Sequence, residues 1–111
     1  MQDCIFCKIS QGTIPGDIVY QDEQLLVLRD ISPQAPVHLL VFPRDHYADI
    51  VEASHNPRLL SALLAKCASL GREMGEQGFR IVVNTGEHGG QTVGHLHFHV
   101  LAGRQLQWPP G

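Results

Sequence analysis

Three histidines near the end of the sequence alternate with apolar residues, in the order His95-Leu-His-Phe-His-Val100. Because successive side chains of a β-strand point to opposite faces, the imidazoles of His95, His97 and His99 are expected to share one face and line an open site. An imidazole has a pKa of about 6.5, so it offers a neutral ring nitrogen at physiological pH. That nitrogen can attack phosphorus or bind a metal, and the alternation by itself leaves both possibilities open.

A glycine-rich loop, Gly86 to Gly94, leads directly into the three histidines. Glycines let backbone N–H groups approach an anion closely, and Thr92 adds a hydroxyl donor. Such a loop is a weak signal alone, because many glycine-rich segments are ordinary turns. Followed at once by the histidines, it predicts a phosphate cradle beside a nucleophile, and it favours nucleophilic chemistry over metal binding by the three imidazoles.

The cysteines form a second candidate cluster at the other end of the sequence. The chain has three of them, and two are spaced as Cys4-x-x-Cys7. An odd number of cysteines does not indicate a disulfide framework. The spacing instead predicts a reduced compartment and a metal or redox role for the pair.

The segments that would position these residues follow an α+β pattern. Alternating or continuous apolar runs predict five strands, at residues 17–22, 24–30, 38–42, 79–84 and 95–102. A short helix is predicted around residues 47–52. With the long helix described next, these elements predict a mainly antiparallel five-stranded sheet with one long and one short helix.

The long helix has clear boundaries in the sequence. Asn56 is a good N-cap, Pro57 suits the first helical position, and Gly75 is a typical residue at a helix end. Between them, apolar residues recur at helical spacing and predict one buried face: Leu59, Leu60, Leu63, Leu64, Cys67, Leu70 and Met74.

Length and composition limit the possible functions. The 111 residues fit a single domain, residues 1–111, which would gain stability from dimerisation or a metal. A net charge of −3 without any cluster of Lys or Arg argues against a nucleic-acid polymer as partner, although a mononucleotide needs only a few local donors. The first ten residues lack the features of a signal peptide, and no apolar run approaches membrane-spanning length. These features predict a cytoplasmic protein that does not contact membranes.

Two long motifs resemble one known family. The segment Gly89-Gly-Gln-Thr-Val-Gly-His-Leu-His-Phe-His through Trp108-Pro-Pro-Gly111 is similar to the signature of the histidine-triad (HIT) family, in its Hint branch. The segment Asp30-Ile-Ser-Pro-Gln-Ala-Pro-Val-His38 resembles the other signature of that branch, and the similarity extends over nearly the whole chain. The resemblance implies the HIT fold, a homodimer, and hydrolysis of the P–N bond of purine nucleoside phosphoramidates such as amine-linked AMP.

The resemblance also implies a role for each site residue. His97 would form a covalent nucleotidyl intermediate, His99 would contact the phosphate, and His38 and His95 would support the nucleophile. Asp30 would hold the ribose hydroxyls. The base pocket would be lined by Ile9, Ile14, Leu28 and Ile31, and the phosphate and leaving group would be bound by Asn84, Gly90 and Thr92.

Two positions bear on how the chain compares with its branches. The Hint branch commonly carries serine at the position of Thr92, so the handling of the leaving group could differ slightly. The uridylyltransferase branch lacks the third histidine, so His99 favours hydrolysis over transfer.

Other members of the family suggest what the cysteine pair does. Some bacterial members and the uridylyltransferases resemble this chain in carrying the pair, and there zinc is held by two thiolates and two histidines. The matching residues here are Cys4, Cys7, His46 and His95. Such a zinc would be structural, and catalysis would require no cofactor.

Two other functions remain open from the sequence. One is a nucleotide-binding regulatory module whose catalysis is incidental. The other is a zinc-dependent hydrolase that uses the three histidines as metal ligands, although it would lack an obvious carboxylate base beside them.

Overall fold

A computed structural model describes residues 3–111 of the chain. They form a five-stranded antiparallel sheet with the strand order β1-β2-β3-β5-β4. The strands are β1 (Ile18–Gln21), β2 (Leu25–Arg29), β3 (Val37–Pro43), β4 (Phe79–Val83) and β5 (Phe98–Ala102). The helices are α1 (Ile5–Ser10), α2 (Ile50–Ala53) and α3 (Pro57–Met74). The predicted α+β architecture with its antiparallel sheet is confirmed.

Helix α3 begins and ends where the sequence predicts. The side chain of Asn56 accepts a hydrogen bond from the backbone N–H of Leu59 at 3.2 Å, and Pro57 is the first helical residue. The buried face is narrower than expected, because Leu64 is 44% exposed. Among the residues that the structure describes, no helix combines the length and apolar character needed to cross a membrane.

The two faces of the sheet bury different sets of residues. On one face, α3 covers a core that includes Val41, Phe98 and Val100. On the other face, α1 contributes to a second core that includes Leu40 and Phe42. Because side chains alternate along each strand, His38 of β3 and His99 of β5 point to this second face, on the side of α1. The alternation therefore places these two histidines on the face of the sheet opposite the α3 core.

Two details of the helices differ from the sequence prediction. Residues 3–111 contain three helices rather than the two predicted, because α1 was not predicted. With six residues, α1 is too short for helical periodicity to be recognised, although Phe6 and Ile9 are buried at the expected i, i+3 spacing. Helix α2 is shorter and later than predicted, since Asp49 accepts a hydrogen bond from the N–H of Glu52 and so caps a helix that begins at Ile50.

Strand β5 begins at Phe98, not at His95 as predicted. Pro43, at the end of β3, has no N–H to donate to a neighbouring strand, and its carbonyl accepts from the His95 ring. The backbone N–H of Leu96 donates to the carbonyl of Tyr47 at 2.7 Å instead of to a strand. Residues 95–97 are therefore held by the loop that follows β3, while Leu96 still enters the α3 core.

Candidate functional site

The structure brings the rings of His38, His97 and His99 close together. The ring centroids of His97 and His99 lie 5.0 Å apart, and those of His38 and His99 lie 5.2 Å apart. The expectation that His95, His97 and His99 all line an open site is wrong. His95 is fully buried and His97 is 6% exposed, because α1 packs over them.

The hydrogen bond of His97 defines which of its nitrogens can react. Its Nδ1 lies 2.8 Å from the carbonyl oxygen of His95. A carbonyl oxygen only accepts, so Nδ1 carries the proton of the neutral ring. The lone pair is therefore on Nε2, which is the nitrogen available for attack on an electrophile.

A chain of hydrogen bonds fixes the tautomers of the two neighbouring histidines. The backbone N–H of Gln34 donates to Nδ1 of His38 at 3.0 Å, so His38 carries its proton on Nε2. That Nε2 lies 2.9 Å from Nδ1 of His99 and 3.4 Å from a carboxylate oxygen of Asp30. Because His99 accepts at Nδ1, its own proton is on Nε2, which makes this nitrogen a donor for a phosphate oxygen.

The ring of His99 is held in its neutral form. Burial lowers its pKa to about 4, with a further lowering from His97 and His38, and the carboxylate of Asp30 only partly opposes this. At neutral pH the ring therefore offers a single N–H donor and no positive charge. The donor role does not depend on protonation in the physiological range.

The residues Asp30, His38 and His99 also have the composition of a metal site. Their ligand atoms lie within 4.8 Å of one another, and two histidines with one carboxylate is a known ligand set for transition metals. However, His38 accepts a backbone hydrogen bond at Nδ1 and keeps its proton on Nε2, the atom that faces the other two. The cluster is thus arranged for hydrogen bonding, which disfavours a metal ion bound by Asp30, His38 and His99.

A second cluster matches the predicted metal ligands. The ligand atoms of Cys4, Cys7, His46 and His95 all lie within 4.8 Å of one another. Nδ1 of His95 is 3.2 Å from Sγ of Cys4 and 3.6 Å from Sγ of Cys7, and Nδ1 of His46 is 3.4 Å from Sγ of Cys7. Cys4 is the N-cap of α1 and Cys7 lies within this helix. His46 lies in the loop after β3, and His95 is the first of the three alternating histidines.

The chemistry of this cluster fits zinc. Nε2 of His95 donates to the carbonyl of Pro43 at 2.8 Å, so its Nδ1 lone pair is free and directed at the two sulfurs. Burial lowers the pKa of His95 to about 4, so the ring is a neutral ligand. Burial and the neighbouring Cys4 raise the pKa of Cys7, so its thiolate needs a nearby cation. Two sulfurs and two nitrogens suit the tetrahedral preference of zinc.

The predicted base-pocket residues are only partly together. Ile9 and Leu28 are buried in the second core, and Ile14 packs against it. Ile31 is 96% exposed, so it does not join the other three predicted pocket residues. Ile31 lies at the surface, in the loop between β2 and β3, where it can only flank a bound base.

The predicted phosphate-binding residues lie on the segment between β4 and the histidines. Gly86 and Gly90 adopt positive φ values of 74° and 82°, which only glycine adopts readily. Thr92 lines a cavity of about 490 Å³ together with Cys4 and His46. The roles of Asn84, Gly90 and Thr92 remain predictions.

Two residues of the site were not predicted. The side chain of Gln91 donates to the carbonyls of Ala48 and Val93 and accepts from the N–H of Gly86, so it ties the glycine-rich loop to the segment after β3. The sequence feature that could have indicated Gln91 is a side-chain amide within a glycine-rich loop, since an amide can both donate and accept hydrogen bonds. Phe6 contacts the ring of His97, and only its position between the two cysteines could have indicated this.

Comparisons with known proteins identify related sequences. A family model described as "HIT domain" matches residues 11–106. An uncharacterized HIT-like protein of Synechococcus elongatus is 49% identical, over 99% of this chain and 98% of that protein.

Solved structures of similar proteins share the fold. A HIT family hydrolase from Legionella pneumophila has a TM-score of 0.93 and 46% identity, covering 98% of this chain and all of that one. A zinc-bound histidine triad family protein from Mycobacterium smegmatis has a TM-score of 0.83 and 33% identity, covering 93% of this chain and 76% of that one.

Proposed function

Because the chain belongs to the HIT domain family, we propose that it is a nucleotide-binding hydrolase that cleaves the P–N bond of purine nucleoside phosphoramidates. The observation that carries this proposal is the tautomer of His97. Its Nδ1–H is held by the carbonyl of His95, which leaves the Nε2 lone pair as a nucleophile beside two further imidazoles.

The reaction proceeds in two displacements at phosphorus. Nε2 of His97 forms a bond to phosphorus while the P–N bond breaks, and the leaving nitrogen takes a proton from solvent and departs as the neutral amine. Water then attacks the nucleotidyl-histidine, which releases the nucleoside monophosphate and restores the neutral ring. The Nε2–H of His99 donates to a phosphate oxygen in both steps, since its Nδ1 is occupied by His38.

We assign two functions to Asp30. One of its carboxylate oxygens accepts from the N–H of Ser32 at 2.8 Å, and the other lies 3.4 Å from Nε2 of His38. It therefore orients the hydrogen-bonded histidines. Its side chain is still 19% exposed, which leaves room for the ribose hydroxyls that the family resemblance assigns to it.

The metal cluster supplies structure rather than chemistry. Cys4, Cys7, His46 and His95 would hold a zinc ion, which cross-links three separate segments when bound. His97 is not among these ligands, so its nucleophilic nitrogen stays free. The zinc-bound relative from Mycobacterium smegmatis supports this assignment.

Turnover of an AMP-linked amine tests the proposed function. The full-length protein is expected to release AMP and the free amine catalytically, with hydrolysis followed by chromatography. Binding of AMP with no release of amine would contradict the proposal and would favour a nucleotide-binding regulatory module.

Base selectivity is predicted to be low among purines. The base-pocket residues Ile9, Ile14, Leu28 and Ile31 are all aliphatic, and none offers a side-chain donor or acceptor to distinguish adenine from guanine. Discrimination by large factors requires buried polar groups that the wrong base leaves unpaired. We expect kcat/KM for matched AMP and GMP substrates to agree within about tenfold. A preference of about a hundredfold would show that other residues read the base.

We also propose a homodimer formed through β4 and α3. Strand β4 lies at one edge of the sheet, so its outer backbone groups can pair with a second copy. Phe79 on this strand and Leu64 on α3 are both exposed apolar residues. A symmetric interface would cover them.

The C-terminal tail is expected to act on the leaving group of the partner subunit. Trp108 is 82% exposed, so its indole ring is available for contact with a second subunit. Deleting residues 105–111 should leave a folded dimer that binds AMP, but should change the ranking of substrates with bulky and small amines. The measurement is kcat/KM for both amines, with sedimentation to check the dimer. An equal loss for both amines, or a monomeric product, would contradict this role.

A further inference from the structure

We propose that Phe6 is a positioning residue for His97, through which the metal cluster controls the geometry of the nucleophile. This inference rests on the proposed function. Phe6 is 5% exposed, and its ring lies 5.2 Å from that of His97 at an interplanar angle of 70°. The same ring lies 5.6 Å from that of His95.

The ring of His97 needs a second restraint. The hydrogen bond from its Nδ1 to the carbonyl of His95 fixes one atom of the ring, and the ring can still tilt about that bond. Tilting would move Nε2, because this nitrogen lies on the opposite side of the ring. The edge-to-face contact with Phe6 blocks that movement. An attacking atom displaced by about 1 Å can lose about a hundredfold in rate.

The position of Phe6 depends on the metal ligands. Phe6 lies in α1, with the candidate ligand Cys7 next to it and Cys4 two residues before it. A helix of six residues is not stable alone. Metal binding at Cys4 and Cys7 would fix both ends of the turn that carries Phe6. Behind Phe6, the ring of Phe42 stacks at 4.4 Å and an angle of 17°, which limits where the Phe6 ring can go.

The coupling can be tested with full-length protein loaded with zinc and then treated with a chelator. Two quantities are measured in each state: kcat for an AMP-linked amine, and the NMR signals of the His97 ring. In the wild type, zinc removal should shift the His97 signals and lower kcat about tenfold. With zinc bound, Phe6→Leu should already lower kcat about tenfold with KM little changed, and zinc removal should then add less than about twofold.

Leu26→Ala is the control for the loss of buried apolar atoms. Leu26 on β2 is fully buried in the same core, but it is neither a candidate metal ligand nor one of the rings that contact His97. The variant should lower stability and keep the response of kcat to zinc. If Phe6→Leu fails to fold, Phe6→Met is measured in the same way, because methionine adapts to irregular spaces.

Three results would overturn the coupling. The first is a loss of kcat on zinc removal that is as large in Phe6→Leu as in the wild type. The second is that zinc removal does not shift the His97 signals of the wild type. The third is that the protein binds no zinc. If the AMP-linked amine is not hydrolysed at all, the proposed function fails, while the size of the NMR response of His97 to zinc in Phe6→Leu, compared with the wild type, still decides the coupling.

Discussion

Replacing His97 with alanine is expected to lower kcat/KM for an AMP-linked amine by about a thousandfold or more, because no other group can take over a covalent nucleophile. The fold should persist, since within residues 3–111 the ring of His97 makes a single hydrogen bond, to the carbonyl of His95. The measurement is kcat/KM by amine release, with circular dichroism to confirm folding. His97→Gly with added imidazole is expected to recover part of the activity, because the cavity can admit a free ring.

His55→Ala is the control for this substitution. His55 is an exposed histidine just before α3 and has no role in the site, so the variant should keep wild-type activity. If His97→Ala retains more than about a tenth of wild-type activity, the assignment of His97 as nucleophile is wrong, since loss of a covalent nucleophile costs far more.

Replacing Cys7 with serine is expected to abolish zinc binding and to lower the thermal midpoint by about 10 °C or more. Zinc at a thousand times its dissociation constant stabilises the folded state by about 4 kcal/mol, and each kcal/mol corresponds to about 4 °C or more in a domain of this size. Zinc content is measured by atomic absorption after gel filtration, and the midpoint by calorimetry in the presence of zinc.

Cys67→Ala separates this effect from the loss of any cysteine. Cys67 lies in the α3 core, and burial raises its pKa to about 12, so it stays a neutral thiol away from the cluster. This variant should keep one zinc per chain even if it is less stable. Unchanged zinc content in Cys7→Ser would show that Cys4, Cys7, His46 and His95 are not the metal ligands.

The elements with long, clear patterns were predictable from the sequence. Helix α3 has a capping residue, a proline at its first position and an apolar stripe, so Asn56 and Pro57 define its start. The alternation along residues 95–100 predicted that Leu96, Phe98 and Val100 enter the core on the face opposite the histidines, and all three lie in the α3 core, because side-chain direction in a strand follows from spacing. The cluster of Cys4, Cys7, His46 and His95 came from the family resemblance, and the structure brings these four together.

Other features depend on contacts between distant residues and could not be predicted. The start of β5 is set by Pro43 and Tyr47, which accept hydrogen bonds from residues 95 and 96 and hold them away from the sheet. The burial of His95 and His97 follows from the packing of α1, a helix too short to be recognised. The tautomer of His38 depends on the backbone N–H of Gln34, which no sequence pattern reveals.

Trapping the covalent intermediate identifies the nucleophile directly. The full-length protein is mixed with an AMP-linked amine that turns over slowly and is quenched within one turnover, at neutral to alkaline pH to preserve the P–N bond. The modified residue is then mapped by peptide mass spectrometry. We expect a nucleotidyl group on His97, formed and lost at rates consistent with kcat. A nucleotidyl group on another residue, or steady turnover with no modified peptide at any time, would show that His97 is not the nucleophile.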